Sequence, residues 1–387
     1  MEPLELLDLV QKGESSSVQF KERIEDAHSL SQELVAFSNT KGGTIIIGIN
    51  DKTGIRNGLS FEEIRRTNSL ITGATTHNVK PSITVESETV VIDNDCLIVI
   101  YVSEGLSKPY KDNNGAIWIK NGSDKRRVTS NEEIARLLQS SKILFADEMK
   151  IPGTSVSDVN MELFKIYYKI KYKNDFDKSG IELSESLQNQ FLLKDGNITL
   201  AGLLLFCTNR HFYRPLFSIQ CVSVNAIDLT GNNFEDNEPA FEGTLLQVYE
   251  QTISFINRNL KKVPISSSFN SPLRWEIPQE VFEELIVNAL IHRDYFINST
   301  IKVIIYSNRI EIISPGKLPN SLSVESMLKG GISIPRNPVL QSLAQYSLPY
   351  KGLGTGVPRA IANYKEITFI NNQEREILTV IIKRPTV

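Results

Sequence analysis

Helical and strand-like spacings of apolar residues alternate through the first part of the chain. Apolar positions recur at helical spacing over 4–11 and 29–38, and the second run stops at Gly42 and Gly43 before the β-rich run TIIIGIND. Strand-like runs ETVVI, CLIVIYV and AIWIK follow, and TSNEEIARLLQSS opens with polar capping residues ahead of a helical pattern. The pattern predicts an α+β domain, which we assign to residues 1–145.

The next part of the chain begins with MKIPGTSVSD, whose proline, glycine and serine content is typical of a linker. Helices are expected over 158–173, 184–193, 200–207 and 244–261, with one clear strand in FSIQCVSVNAI. This part shows no catalytic cluster of residues. We therefore interpret residues 150–274 as a connector and packing domain of mixed, mainly helical structure.

The last part, residues 275–387, opens with a strong helical stripe over 278–293. Its apolar positions follow the i, i+3, i+4, i+7, i+8 rule, at Phe282, Leu285, Ile286, Ala289 and Leu290. Two strand runs follow, joined at Ser307-Asn308, then a helix from Pro338, the loop GLGTG, a short helix from Pro358 and a hairpin about Asn371-Asn372. The whole chain is thus predicted to be an α+β multidomain protein.

Composition narrows the class of protein further. The chain is 41% hydrophobic and 22% charged, and no window has the 18 or more apolar residues of a membrane span. The N-terminal MEPLELLDLV is acidic, unlike a secretory signal, so we expect a cytoplasmic protein without a membrane partner. Because 42 Lys and Arg face 45 Asp and Glu, a nucleic-acid surface would have to be a local patch.

Two polar residues interrupt the apolar helix over 278–293. Glu284 and Asn288 lie one turn apart on one side of the helix, at the edge of its apolar stripe. An amide oxygen is a reasonable ligand for Mg²⁺, and a carboxylate one turn away could orient a water for attack on phosphate. Alternatively, Asn288 bonds a neighbouring backbone group and Glu284 is solvated.

Glycine-rich loops downstream of this helix favour a phosphate site. GLGTG places Gly352, Gly354, Thr355 and Gly356 ahead of a short helix, where backbone amides and a helix N-terminus can hold phosphates. A second loop, ISPGKLP, offers a glycine for close backbone approach and a lysine as a point charge, Gly316 and Lys317. Glycine-rich turns are common, so neither loop is specific by itself.

The order of these motifs resembles the GHKL-type ATPase fold of gyrase, histidine kinases and MutL. NALIHRDY, SPG, RNP and GLGTG are similar to the signatures of a divergent branch found in transcriptional regulators labelled RecG-related. The resemblance covers about 275–385 and implies an α/β sandwich that binds ATP and Mg²⁺. It implies Glu284 as general base, Asn288 as Mg²⁺ ligand, and Ser314, Gly316, Lys317, Gly352, Gly354, Thr355 and Gly356 as nucleotide contacts.

One residue departs from that family. Ser314 stands where ATPases of this class use an aspartate to accept a hydrogen bond from the adenine amino group. A neutral hydroxyl is a weaker acceptor than a carboxylate. We therefore expect nucleotide binding without fast hydrolysis. The RecG-related label implies a helicase, but the chain has no G-x-x-x-x-G-K-[ST] loop.

Three N-terminal motifs, GESSSVQFK, ELVAFSNTKGGTIIIGIND and IKNGSDKRR, together resemble the Schlafen AlbA-like divergent DNA-binding domain over about residues 8–140. GESSSVQFK is similar to its E-x4-E-F-K motif, ELVAFSNTKGGTIIIGIND to its glycine motif, and IKNGSDKRR to a basic strand near its end. The resemblance implies contact with nucleic acid, with DNA favoured over RNA. The residues expected to contact phosphates are Lys21, Lys41, Lys120, Lys125, Arg126 and Arg127. A solvated charged turn is the alternative for the last four.

Some Schlafen relatives cut RNA with a trio of carboxylates, so the acidic positions of these motifs also matter. Glu14 and Asp51 match acidic positions of the motifs, whereas Gln19 stands where a second glutamate is expected. A neutral amide is a weaker metal ligand than a carboxylate. A metal-dependent nuclease is therefore the lowest-ranked hypothesis.

Together these patterns favour a DNA-binding transcriptional regulator with an ATP-binding sensor domain, expected to be a homodimer. The competing hypothesis is an ATP-hydrolysing conformational switch that acts on nucleic acid, with 315–337 as a lid over the nucleotide. A third is a scaffold in which both sites have decayed, as Gln19 and Ser314 would permit.

Overall fold

The chain folds into two compact units, Met1–Leu144 and Phe145–Val387. A computed structural model describes residues 1–141, 144–231, 233–265, 271–319, 322–331, 334–352 and 354–385. Both units mix helices and sheets, which confirms the predicted α+β multidomain class. Among the helices of the described ranges, none is long and apolar enough to cross a membrane.

The first unit is built on a four-stranded sheet with the order β1-β2-β5-β4. Strand β1 runs parallel to β2, and the remaining pairs are antiparallel. Its strands are β1 Val18–Lys21, β2 Gly43–Ile47, β3 Val79–Lys80, β4 Glu86–Ile92, β5 Asp95–Val102, β6 Lys111–Asp112, β7 Trp118–Asn121 and β8 Asp124–Arg127. Its helices are α1 Pro3–Lys12, α2 Ala27–Asn39, α3 Phe61–Gly73 and α4 Asn131–Ser140.

Both faces of this sheet are buried, which explains the continuous apolar runs of β2 and β5. Ile45 packs with Leu34 of α2 on one face, while Ile46 packs with Leu6 of α1 on the other. Gly43 makes the turn from α2 into β2 possible, because a Cβ there would lie 2.4 Å from the ring of Phe37. The glycine pair predicted to end the helix therefore also permits close helix-to-strand packing.

The second unit contains a six-stranded sheet with the order β12-β11-β15-β16-β18-β17. Its strands are β9 Leu193–Lys194, β10 Asn197–Ile198, β11 Ile219–Val224, β12 Phe234–Glu238, β13 Lys262–Pro264, β14 Leu273–Trp275, β15 Ile301–Ile305, β16 Arg309–Pro315, β17 Ile367–Asn372 and β18 Ile377–Lys383. Its helices are α5 Met161–Tyr172, α6 Leu183–Gln188, α7 Leu200–Phe206, α8 Arg210–Tyr213, α9 Leu245–Asn259, α10 Gln279–His292, α11 Val324–Lys329, α12 Pro338–Ala344 and α13 Gly356–Asn363.

The predicted connector and the predicted C-terminal domain share this sheet. Strand β11, from the connector, pairs in parallel with β15, from the C-terminal part, over 219–223 and 301–305. One apolar core joins them, with Leu203 and Phe255 of the connector beside Phe282 and Ile286 of α10. The predicted boundaries at 150–274 and 275–387 therefore fall inside one compact unit. Because β11 pairs with β12 on one side and with β15 on the other, the six-stranded sheet continues across the predicted boundary between 274 and 275.

Several elements differ from the pattern read along the sequence. Helix α3 was not predicted, although Ser60 caps it and Glu63 completes a capping box. Helix α13 begins at Gly356 rather than at Pro358. The last hairpin turns at 373–376, because Asn371 and Asn372 are still paired with Leu378 and Ile377.

Candidate functional site

Every residue predicted to contact the nucleotide lies around one cavity of about 140 Å³ in the second unit. Helix α10 contributes its polar pair, β16 and the loop after it contribute the second glycine loop, and the segment before α13 contributes the first. The predicted residues around the cavity are Glu284, Asn288, Ser314, Gly316, Lys317, Gly352, Gly354, Thr355 and Gly356. Their convergence is a property of the fold, and the roles assigned to them stay proposals.

The polar pair of α10 is held by short contacts inside the cavity wall. The amide nitrogen of Asn288 donates to the Glu284 carbonyl at 2.7 Å, so the amide oxygen is directed away from the helix backbone. This bond is the one expected from the backbone-bonding alternative for Asn288. The Glu284 carboxylate forms an ion pair with Arg359 of α13, so it is not simply solvated.

The glycine loop lies so close to α10 that a residue with a side chain would not fit at Gly356. A Cβ on Gly356 would lie 2.5 Å from Glu284 Oε2 and 3.0 Å from Asn288 Nδ2. Gly354 has a φ of +65°, a conformation that L side chains rarely adopt. Its carbonyl accepts a hydrogen bond from the Gly331 amide at 3.3 Å, which ties the predicted lid to the glycine loop.

A second close approach occurs at Gly316, which also lines the cavity. Its φ is +106°, and a Cβ there would lie 2.5 Å from Arg336 Nη1 and 2.6 Å from the Cβ of Asp294. Ser314 lies two residues earlier on β16, is buried, and lines the same cavity. Ser314 therefore belongs to the cavity wall, and its contact with adenine stays a prediction.

The motif RNP, residues 336–338, helps to shape this cavity, a role that was not predicted from the sequence. Arg336 donates to the carbonyl of Lys317 at 2.6 Å and to that of His292 at 3.3 Å. Buried Asn337 donates to the carbonyls of Ile291 and Arg293, where α10 ends. The motif thus joins the end of α10 to the second glycine loop. The sign of this role in the sequence is that RNP occurs together with NALIHRDY, SPG and GLGTG.

The run His292-Arg293-Asp294 has a structural role, in line with its position at a helix end. Arg293 is buried between the rings of Phe217 and Tyr295 and donates to the Ser299 carbonyl at 2.5 Å. Burial lowers its pKa to about 10. His292 lines the cavity, and burial, with Arg336 nearby, lowers its pKa to about 4. At neutral pH the imidazole is therefore uncharged.

The residues around the cavity suit a nucleotide polyphosphate. Gly356 brings the loop backbone close to Glu284 and Asn288, and the Asn288 amide oxygen is a ligand type that Mg²⁺ accepts. The cavity alone is smaller than the roughly 300–1,000 Å³ of common ligand pockets. A second cavity of about 460 Å³ shares Glu284, Tyr350, Lys351 and Arg359 with it.

In the first unit, the predicted basic patch lies on a hairpin formed by β7 and β8. Lys120 faces Lys125 across the hairpin, and the turn contains Gly122 with a φ of +63°. Lys120 is buried, donates to Gln19 at 2.6 Å and lies over the Phe37 ring; burial lowers its pKa. Lys120 is therefore already held by contacts within this unit, and its predicted phosphate contact stays a prediction.

The other predicted phosphate contacts differ in how far they are already paired. Arg126 pairs with Glu133, while Lys41 and Arg127 are exposed. Lys125 and Lys21 both approach Glu33, a buried residue of α2 that sequence reasoning missed. Glu33 appears within the motif ELVAFSNTKGG, but an acidic residue on an apolar helix gave no sign of its partners.

The two acidic positions considered for nuclease activity have different surroundings. Glu14 accepts hydrogen bonds from the Gln19 side chain and from the Phe20 amide, the latter at 2.7 Å. Asp51 is exposed in a turn after β2. Across the described stretches of the chain, no group of three or more His, Cys, Asp or Glu could hold a metal ion.

Comparisons with known proteins agree with this two-part organisation. Residues 14–129 match the family model described as "Schlafen, AlbA_2", and residues 298–379 match the one described as "Putative ATP-dependent DNA helicase recG C-terminal". The second match begins after α10, so it does not include Glu284 or Asn288. No curated protein matches the chain.

Two solved structures are similar to the chain at low identity. The DIP2311 protein from Corynebacterium diphtheriae is 21% identical, with a TM-score of 0.48, over 95% of this chain and 75% of that one. The N-terminal domain of a "Putative ATP-dependent DNA Helicase RecG-related Protein" from Nitrosomonas europaea is 22% identical, with a TM-score of 0.24, over 34% of this chain and 96% of that one.

Proposed function

We propose, because this chain joins an N-terminal Schlafen AlbA_2 domain to a C-terminal domain of the recG HATPase family, that it is a nucleotide-responsive, nucleic-acid-binding regulator. Its nucleic acid is DNA, its nucleotide is ATP with Mg²⁺, and it acts on transcription in the cytoplasm as a homodimer. The observation that carries this proposal is the convergence of Asn288, Ser314 and both glycine loops on one cavity.

Each group around the cavity has a part in the proposed nucleotide site. The Asn288 oxygen would hold Mg²⁺, which when bound offsets phosphate charge. Backbone amides of Gly354 and Gly356 would face phosphate oxygens at the start of α13. Ser314 would accept from the adenine amino group, and Lys317 would add a positive charge near the second glycine loop.

Nucleotide binding is tested by titrating the full chain with a fluorescent ATP analogue and Mg²⁺. We expect a saturable signal that Asn288→Ala weakens about tenfold or more, since it removes a metal ligand. Asn237→Ala, at an exposed position of β12 that lines neither cavity, is the matched control and should bind like the wild type. A wild-type chain that shows no saturation would overturn the proposed site.

Nucleic-acid binding is tested separately, by titrating a short DNA duplex at several salt concentrations. The exposed Lys41 and Arg127, with Lys21, Lys125 and Arg126 around the hairpin, are the proposed phosphate contacts. We expect affinity to fall as salt rises, because phosphate contacts release counterions. Salt-independent binding, or none, would contradict the proposal for this unit.

A second candidate function is an ATP-hydrolysing switch, because Glu284 lies in the same cavity as Asn288. A carboxylate at that place could orient a water toward the terminal phosphate. In this conformation the carboxylate is engaged by Arg359 rather than free to hold a water, which supports slow turnover. Steady phosphate release that disappears in Glu284→Ala would favour this candidate over a non-hydrolysing sensor.

A further inference from the structure

Four residues lie in the wall between the two cavities of the second unit. Glu284, Tyr350, Lys351 and Arg359 line both the inner cavity, beside the glycine loops, and the outer cavity, beside α10 and α12. Glu284 and Arg359 form an ion pair at this wall. A ligand that extended from one cavity into the other would have to pass this pair.

Arg359 retains unused hydrogen-bonding capacity in this arrangement. Its Nε is buried and has no hydrogen-bond partner within the described ranges of the chain, while its terminal nitrogen contacts Glu284. A guanidinium carries five N–H donors in a planar fork that fits two oxygens of one phosphate. A single carboxylate contact therefore leaves Arg359 suited to a second anionic partner.

Glu284 is confined on its other side by the glycine loop. Its Oε2 lies where a Cβ of Gly356 would come within 2.5 Å, so the carboxylate fits between the loop backbone and the guanidinium. The carboxylate stays in this position while Arg359 neutralises it.

We propose that Arg359 is a phosphate-responsive latch: without nucleotide it holds Glu284, and a nucleoside triphosphate takes the guanidinium onto its terminal phosphates and releases the carboxylate. This inference rests on the proposed nucleotide site. Lys351, on the same wall, provides a second cation for the phosphates. The latch therefore makes the affinity for a nucleotide rise with its number of phosphates, since a nucleoside without phosphates does not reach the guanidinium.

A double-mutant cycle on Glu284 and Arg359 tests the latch through binding alone. Arg359→Gln should weaken the binding of ATP by about tenfold or more and the binding of adenosine by less than about twofold, because only the phosphate contact is lost. Glu284→Gln should tighten the binding of ATP several-fold, because Arg359 no longer has to break an ion pair with a carboxylate before it contacts the phosphates. In the double variant this gain should vanish. Lys365→Gln, an exposed lysine that lines neither cavity, is the matched control.

The outcomes separate the latch from the nucleotide site itself. If wild type binds ATP but Glu284→Gln does not tighten it, or Arg359→Gln weakens ATP and adenosine equally, the latch is wrong and the nucleotide site stands. If wild type does not bind ATP, the proposed function fails and the latch fails with it. Thermal melting of every ligand-free variant confirms that a loss of affinity is not a loss of fold.

Discussion

In the N-terminal unit, the Lys125 ammonium lies 2.8 Å from Oε1 of Glu33, a carboxylate that is buried at the base of the basic hairpin. The Lys21 ammonium lies 3.6 Å from the same oxygen. One acidic side chain therefore offsets two of the cations proposed to contact phosphates. A phosphate that binds these lysines has to compete with Glu33.

Removing this competition should strengthen nucleic-acid binding. We expect Glu33→Gln to raise affinity for a short duplex by roughly three- to tenfold at low salt, because both lysines gain net positive potential. Fluorescence anisotropy measures the change. Glu62→Gln, an exposed glutamate on α3, is the control and should alter affinity little. Unchanged or weaker binding by Glu33→Gln would place the phosphates away from these lysines.

Arg127 provides a different test, because it is exposed on β8. We expect Arg127→Gln to weaken binding to all duplex sequences alike and to reduce the slope of log affinity against log salt by about 1. Lys52→Gln removes an exposed lysine from a turn outside the hairpin and should leave the slope unchanged. Equal slopes for Arg127→Gln and wild type would exclude Arg127 as a phosphate contact.

Local patterns predicted much of this fold because the apolar spacing directly reflects burial. Helix α10 has buried Phe282, Leu285, Ile286 and Leu290, the positions read from its stripe. The motif order also predicted the cavity, because each loop is tied to the strand or helix beside it. Interactions between distant residues were not accessible in this way. The parallel pairing of β11 with β15 joins segments about eighty residues apart, and nothing in either strand encodes its partner.

The partners of charged residues were the least predictable part of the site. Arg359 was not singled out, because an arginine on a short helix is usually solvated, yet it pairs with Glu284. Lys120 was taken for a phosphate contact because of its charged neighbours, yet it is buried against Phe37. Charge in the sequence shows which residues can pair, and only the fold shows which of them do.

Stability should depend on pH through Asp147, a buried residue whose carboxylate accepts from the Leu340 amide at 2.8 Å. Burial raises its pKa to about 7 from an ordinary 3.8. The folded state therefore binds the proton more tightly than the unfolded state. This contribution to stability is complete below about pH 4 and is lost as pH rises through 7.

Asp147→Asn, which keeps an acceptor for Leu340 without a charge, isolates this effect. We expect the variant to gain unfolding free energy relative to wild type between pH 5 and 8, by roughly 1.4 kcal/mol per unit of pKa shift. Urea unfolding at several pH values measures the difference between the two proteins. A difference that is constant with pH would show that Asp147 does not titrate in this range.

Gly316 combines a positive φ with a close contact, and a paired control separates the two effects. We expect Gly316→Ala to lower the free energy of unfolding by more than about 2 kcal/mol, because its Cβ would meet Asp294 and Arg336. Gly196 has a φ of +77° but nothing within 4 Å of the added Cβ. Gly196→Ala should therefore cost only the strain, about 1 kcal/mol. Equal costs would show that the contact contributes nothing.

Glu276 and Arg384 form an ion pair at 2.6 Å that joins the chain before α10 to the end of β18. Both side chains are largely removed from solvent, at 1% and 8% exposure, and Arg384 also donates to the Tyr306 carbonyl. We expect Arg384→Ala to cost about 3–5 kcal/mol of unfolding free energy, because it leaves a buried carboxylate uncompensated. Chemical denaturation measures this loss.

The neighbouring Lys383 supplies a matched control, because its contact with Glu366 at 3.9 Å is exposed on both sides. Lys383→Ala should cost less than about 1 kcal/mol. Replacing both buried partners, as Glu276→Leu with Arg384→Leu, should restore much of the stability, because no unpaired charge then stays inside. A double variant as unstable as Arg384→Ala would mean that lost packing, rather than the uncompensated charge, dominates at this junction.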